Sequence, residues 1–352
     1  MSASADSVAQ SVTGDLERDG FVVVKSVLDK ALVEQARRDL EAIYAKDLEE
    51  RSLRNLDEQT FTHGSTKSIL NKTTHLVLGL PGKSKALDDC YEKILTDPMT
   101  GQIIRAIAGE HIKIRDVNCR YMTGTYDGGD FLNPPHEWHR DSPGEFCIAI
   151  PLNDVAEGDN GATAVIPGSH RYPWCPRWNA MFGAPFYINR YPPKRGPSFL
   201  TRFNPFNRLL HKHRTKGSTG IYAKPGDFYI FLNDTWHGRV ANLHGARAMI
   251  VMAGAFPTEF AFPDNPDPFP AEMVNRLPPK YRKAVSRDAP ANSGTDTMTH
   301  RVLKSQRPDR PTDLFWWARK EKEAMVQLSH ATLWCVQRVP RLHSLIRQHA
   351  AR

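Results

Sequence analysis

The chain has 352 residues, a formal net charge of +8 and five widely spaced cysteines, Cys90, Cys119, Cys147, Cys175 and Cys335. That length allows a substantial core, and the odd, scattered cysteines argue against a disulfide scaffold or a zinc knuckle. The apolar runs fall short of the roughly 20 residues a membrane span requires, and no zinc-finger, helix-turn-helix or RNA-binding signature accompanies the positive charge, which points to anionic small molecules rather than nucleic acid.

Residues 1–15 are rich in Ser and Ala and read as a frayed lead. They lack a basic start followed by an apolar block, so no secretory signal is expected and a cytoplasmic location follows. A strand is predicted over Phe21–Lys25, after which Asp29 can cap a long helix from Lys30 into the forties, with Leu32, Ala36, Leu40 and Ile43 at helical spacing. The polar stretch 49–68 reads as an exposed loop or an access flap. One or two short helices are expected over 84–108, ending near Gly109, with Leu87, Tyr91, Ile94 and Leu95 on the apolar side. Residues 111–124 alternate as a strand, with Lys113, Arg115 and Val117 on one face and Ile112, Ile114, Asp116 and Asn118 on the other. Asn118 and Arg120 share a face.

The organising stretch is 134–171, which holds WHRD, an apolar strand EFCIAIPLN at 145–153 and a shorter one in ATAVIPGSH at 162–170. His139 and Asp141 are one residue apart, so in an extended strand both side chains point to one face and can meet one ion. A third ligand is available at His237, where the run DFYIFLNDTW ends. Two His and one Asp make the facial triad of non-haem Fe(II) oxygenases, which leaves coordination positions open. Arg247 follows ten residues later on the next predicted strand, where its fork could hold a carboxylate. Pro225, Gly226 and Asp227 make a tight turn into Phe228, Ile230 and Leu232.

Between the proximal and distal ligands, 160–226 contains eleven Lys or Arg and no Asp or Glu. Two readings stand for this charge: a solvated face compensated elsewhere, or an anion-attracting rim over the site. Within it, 171–218 is too long for a hairpin loop and too apolar for disorder, so a substrate-covering insertion or a homo-oligomer interface is expected. Trp138, Trp174 and Trp178 can shape a substrate, and Arg190, Arg195 and Arg202 can meet its charge. Beyond Arg247 a proline-punctuated rim leads to a helical tail at 310–352, whose Trp and Leu residues suit core or dimer packing better than an anionic membrane. The predicted division is an oxygenase-type β domain at 1–296 and a helical extension at 297–352.

These pieces resemble the phytanoyl-CoA dioxygenase-like branch of the Fe(II)/2-oxoglutarate oxygenases: DGFVVVKSVLD at 19–29, WHRD at 138–141, DNGATAVIPGSH at 159–170, PGDFYIF at 225–231, and WHG with Asn242 and Arg247 behind it. The resemblance implies a mainly β fold, a double-stranded β-helix (jelly roll, cupin-like) core with packed helices. It implies Fe(II) at His139, Asp141 and His237, and 2-oxoglutarate with its far carboxylate on Arg247 and an auxiliary contact from Asn118 or Arg120. His170 is implied to be structural or substrate-side rather than a fourth ligand. Dioxygen and a small, anionic substrate are the implied partners. Asp141 stands where halogenating relatives carry a small residue, which favours hydroxylation, desaturation or cyclisation. An acyl-CoA substrate and a catalytically inactive jelly-roll binding protein are the remaining alternatives.

Overall fold

The computed structural model describes residues 5–53, 60–63, 66–70, 74–125, 144–157, 161–171, 217–240, 242–245, 247–257, 269–277, 282 and 296–306. Its elements are α1 (Ala5–Asp19), β1 (Phe21–Val24), α2 (Lys30–Leu53), β2 (Thr60–His63), β3 (Thr66–Leu70), β4 (Thr74–Leu78), α3 (Lys85–Thr96), α4 (Pro98–Ala108), β5 (Ile112–Met122), β6 (Phe146–Pro151), β7 (Thr163–Val165), a 3-10 turn (Ser169–Arg171), β8 (Thr219–Gly220), β9 (Phe228–Leu232), β10 (His237–Arg239), β11 (Met249–Pro257), α5 (Ala271–Arg276) and α6 (Met298–Gln306).

The strands form two antiparallel sheets: an eight-stranded one in the order β1-β9-β6-β11-β5-β4-β3-β2, and a three-stranded one in the order β10-β7-β8. This is a double-stranded β-helix type of core that does not close into a barrel. The central strands of the large sheet are buried on both faces, which is why they read as continuous apolar runs. One face carries Phe146, Ile148, Ile150, Phe228, Ile230, Met249 and Val251 into a core shared with the helices. The other carries Cys147, Ala149, Tyr229, Phe231, Ile250 and Met252 into a second cluster with Val165 of the small sheet. That inner face lies between the two sheets.

Helices cover the outer face. Asp29 Oδ1 accepts from Ala31 N and starts α2, whose buried stripe is Val33, Ala36, Leu40 and Tyr44. Leu32 and Ile43 flank that stripe and are only partly buried. Ser84 caps α3, Asp97 caps α4, and all four apolar residues predicted for α3 are buried. Lys224 and Asp227 close the predicted turn: Asp227 Oδ1 and Oδ2 accept from Ser26 N and Lys224 N at 3.0 Å.

Three expectations are corrected. The lead is a helix, because Ala9, Val12 and Leu16 recur at helical spacing and pack inward. The described part of 49–68 is helix and strand rather than a loop or flap: α2 runs on to Leu53, and Thr60–His63 and Thr66–Leu70 pair with each other and with β4 to extend the large sheet. On β5 a register shift opposite Gly254 and Ala255 reverses the alternation, so Ile112 and Ile114 face the helix-side core together with Val117 and Cys119. Of the expected C-terminal extension, α6 is described, and its Arg301 grips Glu17 of α1 at 2.8 and 3.0 Å. Residues 307–352 lie outside the described residues.

Candidate functional site

His237 opens β10 directly opposite Val165, a member of the inner cluster, so its ring faces the space between the sheets. It is 6% exposed and lies 5.0 Å from the ring of Phe231. Its Nδ1 is 2.8 Å from Thr235 O. A carbonyl only accepts, so Nδ1 carries the proton and Nε2 is the basic nitrogen of the neutral ring, the form a metal ligand requires.

The backbone behind the ring is fixed from several directions. Thr235 Oγ1 donates to Gly20 O at 3.2 Å, and Trp236 N donates to Ser169 Oγ at 2.8 Å. Gly20 has φ +81, and a Cβ there would fall 2.2 Å from Thr235 Oγ1 and 2.6 Å from His170 Nδ1, so only glycine fits this approach. His170 is buried, and its Nε2 donates to Glu17 O at 3.0 Å. Asp234, three residues before His237, is held at both carboxylate oxygens: its Oδ2 accepts from Gly144 N at 2.9 Å and its Oδ1 from Gln306 Nε2 of α6 at 3.1 Å.

Asn118 and Arg120 do share the inner face, since Arg120 pairs with Ile250 and Asn118 with Met252, both inner residues. Burial pulls the Arg120 guanidinium below its ordinary pKa, against the opposing influence of Tyr229, Cys147, Tyr44 and Cys119. The Arg120 Nε is buried without a hydrogen-bond partner. Tyr229 is pushed well above the usual phenol range by burial, and its hydroxyl meets Thr163 Oγ1 at 2.9 Å. Arg247, in contrast, is exposed two residues before β11, with its carbonyl accepting from Asn153 Nδ2.

Sequence reasoning passed over Arg239. It stands two residues beyond His237 on β10, opposite Thr163, and is 2% exposed. Its Nη1 donates to Thr74 Oγ1 and to Met122 Sδ, both at 2.9 Å, so it crosses from the small sheet to the inner face of β4 and β5. The same two-residue step that joins His139 to Asp141 was the signal for it. His139, Asp141, Trp138, Trp174, Trp178, Arg190, Arg195 and Arg202 lie outside the described residues. Among the described residues no three His, Cys, Asp or Glu side chains group as metal ligands, and no helix is long and apolar enough to cross a membrane.

A model of the phytanoyl-CoA dioxygenase (PhyH) family matches residues 16–248. The chain belongs to this family. The phytanoyl-CoA dioxygenase match ends just beyond Arg247 and spans every segment that carried the resemblance, and it makes the chain a member of the Fe(II)/2-oxoglutarate oxygenase superfamily. Similar solved structures include the epimerase SnoN from nogalamycin biosynthesis, at 16% identity and a TM-score of 0.42, covering 72% of this chain and 82% of that one. HygX from Streptomyces hygroscopicus, solved with nickel and 2-oxoglutarate bound, has 14% identity and a TM-score of 0.42, covering 71% and 87%. AviO1 from Streptomyces viridochromogenes Tue57 has 17% identity and a TM-score of 0.42, covering 75% and 99%. No curated protein matches the chain.

Proposed function

We propose that the chain is an Fe(II)/2-oxoglutarate-dependent dioxygenase that hydroxylates an aliphatic carbon of a small anionic metabolite or natural-product intermediate, with release of succinate and carbon dioxide. Fe(II) is held by His139, Asp141 and His237. The observation that carries this reading is the state of His237: buried, turned between the sheets, and held by Thr235 O in the tautomer whose Nε2 can bind a metal. The hydrogen bond from Gly144 N to Asp234 Oδ2 supports it, because it joins a point three residues after Asp141 to one three residues before His237.

When bound, iron, 2-oxoglutarate and dioxygen supply the oxidation, and the protein supplies position and a dry wall. Phe231 packs on the His237 ring and restricts its rotation. Tyr229 and Thr163 bridge the two sheets beside it. Asp141 keeps a carboxylate in the ligand set, which favours hydroxylation over halogenation. The acid-free 160–226 segment supports an anionic substrate, with Arg190, Arg195 and Arg202 meeting its charge and Trp138, Trp174 and Trp178 its carbon skeleton.

Anaerobic Fe(II) titration of the parent and of the single alanine variants at His139, Asp141 and His237 tests the ligand set. One equivalent should bind to the parent and none tightly to the variants. Parent-like affinity in all three variants would remove the assignment.

A further inference from the structure

Helix α6 lies beyond residues 16–248, the part of the chain that matches the family. We propose that Gln306, at the end of this helix, is a positioning residue for His237: it fixes the turn between β9 and β10 from which the metal-binding ring projects. This rests on the reading that His237 binds Fe(II).

The sequence of α6 already marks Gln306. Met298, Thr299, Val302, Leu303 and Gln306 make its buried stripe, so a primary amide stands where the helical spacing calls for one more apolar side chain. Burying an amide is unfavourable unless its polar atoms are paired. Gln306 Nε2 donates to His170 O at 2.6 Å and to Asp234 Oδ1 at 3.1 Å, and both of these residues are buried. A carbonyl oxygen only accepts, so the bond to His170 O fixes which end of the amide meets it, and the two N–H groups serve the two acceptors.

Those acceptors belong to the two segments that set the backbone leading into His237. Asp234 lies in the turn itself, where Thr235 N donates to Leu232 O at 2.8 Å, and its Oδ2 accepts from Gly144 N. His170 lies in the 3-10 turn, whose Ser169 Oγ accepts from Trp236 N at 2.8 Å. Gln306 therefore grips Asp234 directly and Trp236 through the 3-10 turn. Between them sits Thr235, whose carbonyl holds His237 Nδ1 in the tautomer that leaves Nε2 basic. Removing the amide takes a donor from two acceptors that solvent does not reach, and the turn must shift to recover the loss. The rest of α6 is docked by other contacts: Thr299 Oγ1 donates to Ile107 O of α4, and Arg301 pairs with Glu17 of α1. Holding the helix and holding the turn are thus separable.

Anaerobic Fe(II) titration of the chain, run beside urea unfolding, distinguishes positioning from packing. Gln306→Met keeps the length and loses both donors; it should lower Fe(II) affinity by about tenfold, the low end for groups that orient a metal ligand without touching the metal. Gln306→Glu keeps the shape, replaces the donors with an acceptor, and serves if the Met variant does not fold; it should show a loss of the same size. Arg301→Met undoes the pair with α1 on the same helix and should leave Fe(II) affinity at the parent value, whatever its effect on the urea midpoint. Asp234→Asn should also weaken iron, and combined with Gln306→Met it should lose less than the product of the two single losses, because both act through one contact. Parent-like iron affinity in a folded Gln306 variant, an equal loss in Arg301→Met, or losses that multiply in the double variant would overturn the assignment. A parent chain that binds no Fe(II) would instead remove the reading of His237 on which it stands.

Discussion

On the outer face of the large sheet Arg51 is buried at 3% exposure, and its own helix supplies the balancing acid: Nε lies 2.8 Å from Asp47 Oδ2. Asp47 also accepts from Ser68 Oγ at 2.7 Å and meets His75 Nε2 at 2.7 Å, while Arg51 Nη2 donates to Ser68 Oγ at 2.6 Å. On the inner face Arg239 is buried as deeply, yet its Nη1 rests on a hydroxyl and a thioether. Strand β4 serves both regions, because His75 and Thr74 are adjacent and point to opposite faces, opposite Tyr121 and Met122 respectively. The difference teaches how to read a buried cation. Where acid, hydroxyl and imidazole close on it within one knot, the group welds α2 to the sheet. Where a hydroxyl and a thioether receive it, as at Arg239 Nη1, the group links the small sheet to β4 and β5.

The largest expected effect lies on the inner side. His237→Ala should lower Fe(II) affinity by more than about 100-fold, beyond the 10–100-fold typical of groups one step from a metal, while leaving the unfolding midpoint within a few degrees. Metal titration alongside thermal melting checks both. A variant that melts far below the parent would make His237 part of the scaffold and erase the contrast between the faces.

The outer knot should answer in the opposite way. Asp47→Ala strands a buried guanidinium and should destabilise by about 3 kcal/mol in urea unfolding, with 2-oxoglutarate affinity retained. Its pH dependence has a definite sign. Hydrogen bonds from Ser68, Arg51 and His75 outweigh desolvation and hold Asp47 below the usual carboxylate range, so its stabilisation is present above the unfolded pKa and is lost as pH falls through the folded one. Burial also lowers the His75 pKa, so stability contributed by the neutral ring falls once pH drops below about 6.5, where the unfolded ring takes up a proton. The parent should therefore weaken on acidification, and Asp47→Ala should flatten part of that slope.

Gly20→Ala links the two kinds of effect. Its positive φ alone costs about 1–2 kcal/mol for an L side chain. The added Cβ also presses on Thr235, whose carbonyl holds the His237 tautomer, so Fe(II) affinity should fall by about tenfold. Stability loss without any change in metal affinity would show that the packing behind Thr235 does not govern the ring.

The smallest effect is expected at a buried acid that is neither in the knot nor in the site. Desolvation raises Asp88 to about 6 despite two contacts from Gly82 N–H. A raised carboxylate favours the folded state at low pH and loses that advantage as pH rises through the folded pKa. Asp88→Asn should therefore raise the melting temperature slightly at pH 8 and not at pH 4. The reverse order would make the Gly82 contacts dominant over burial.

Much of this was legible in the sequence. The runs at 146–151, 228–232 and 249–257 stood out because strands buried on both faces are apolar throughout, and the cap at Asp29 fixed the start of α2. β2, β3 and β4 were passed over because Thr, Ser, His and Lys in these strands resemble a loop. The phase of β5 was misread because a bulge leaves no compositional mark. At the site, His237 could be found from the apolar run that ends on it. Arg239 was passed over because only the strand pairing shows that it leaves β10 on the same side as His237.

The most direct test of the central claim is anaerobic binding of 2-oxoglutarate to the parent chain with and without Fe(II). One Fe(II) per chain, together with cosubstrate binding that tightens sharply when the metal is present, is the predicted result. Binding of 2-oxoglutarate that is indifferent to iron, or no binding by the iron-loaded chain, would contradict it.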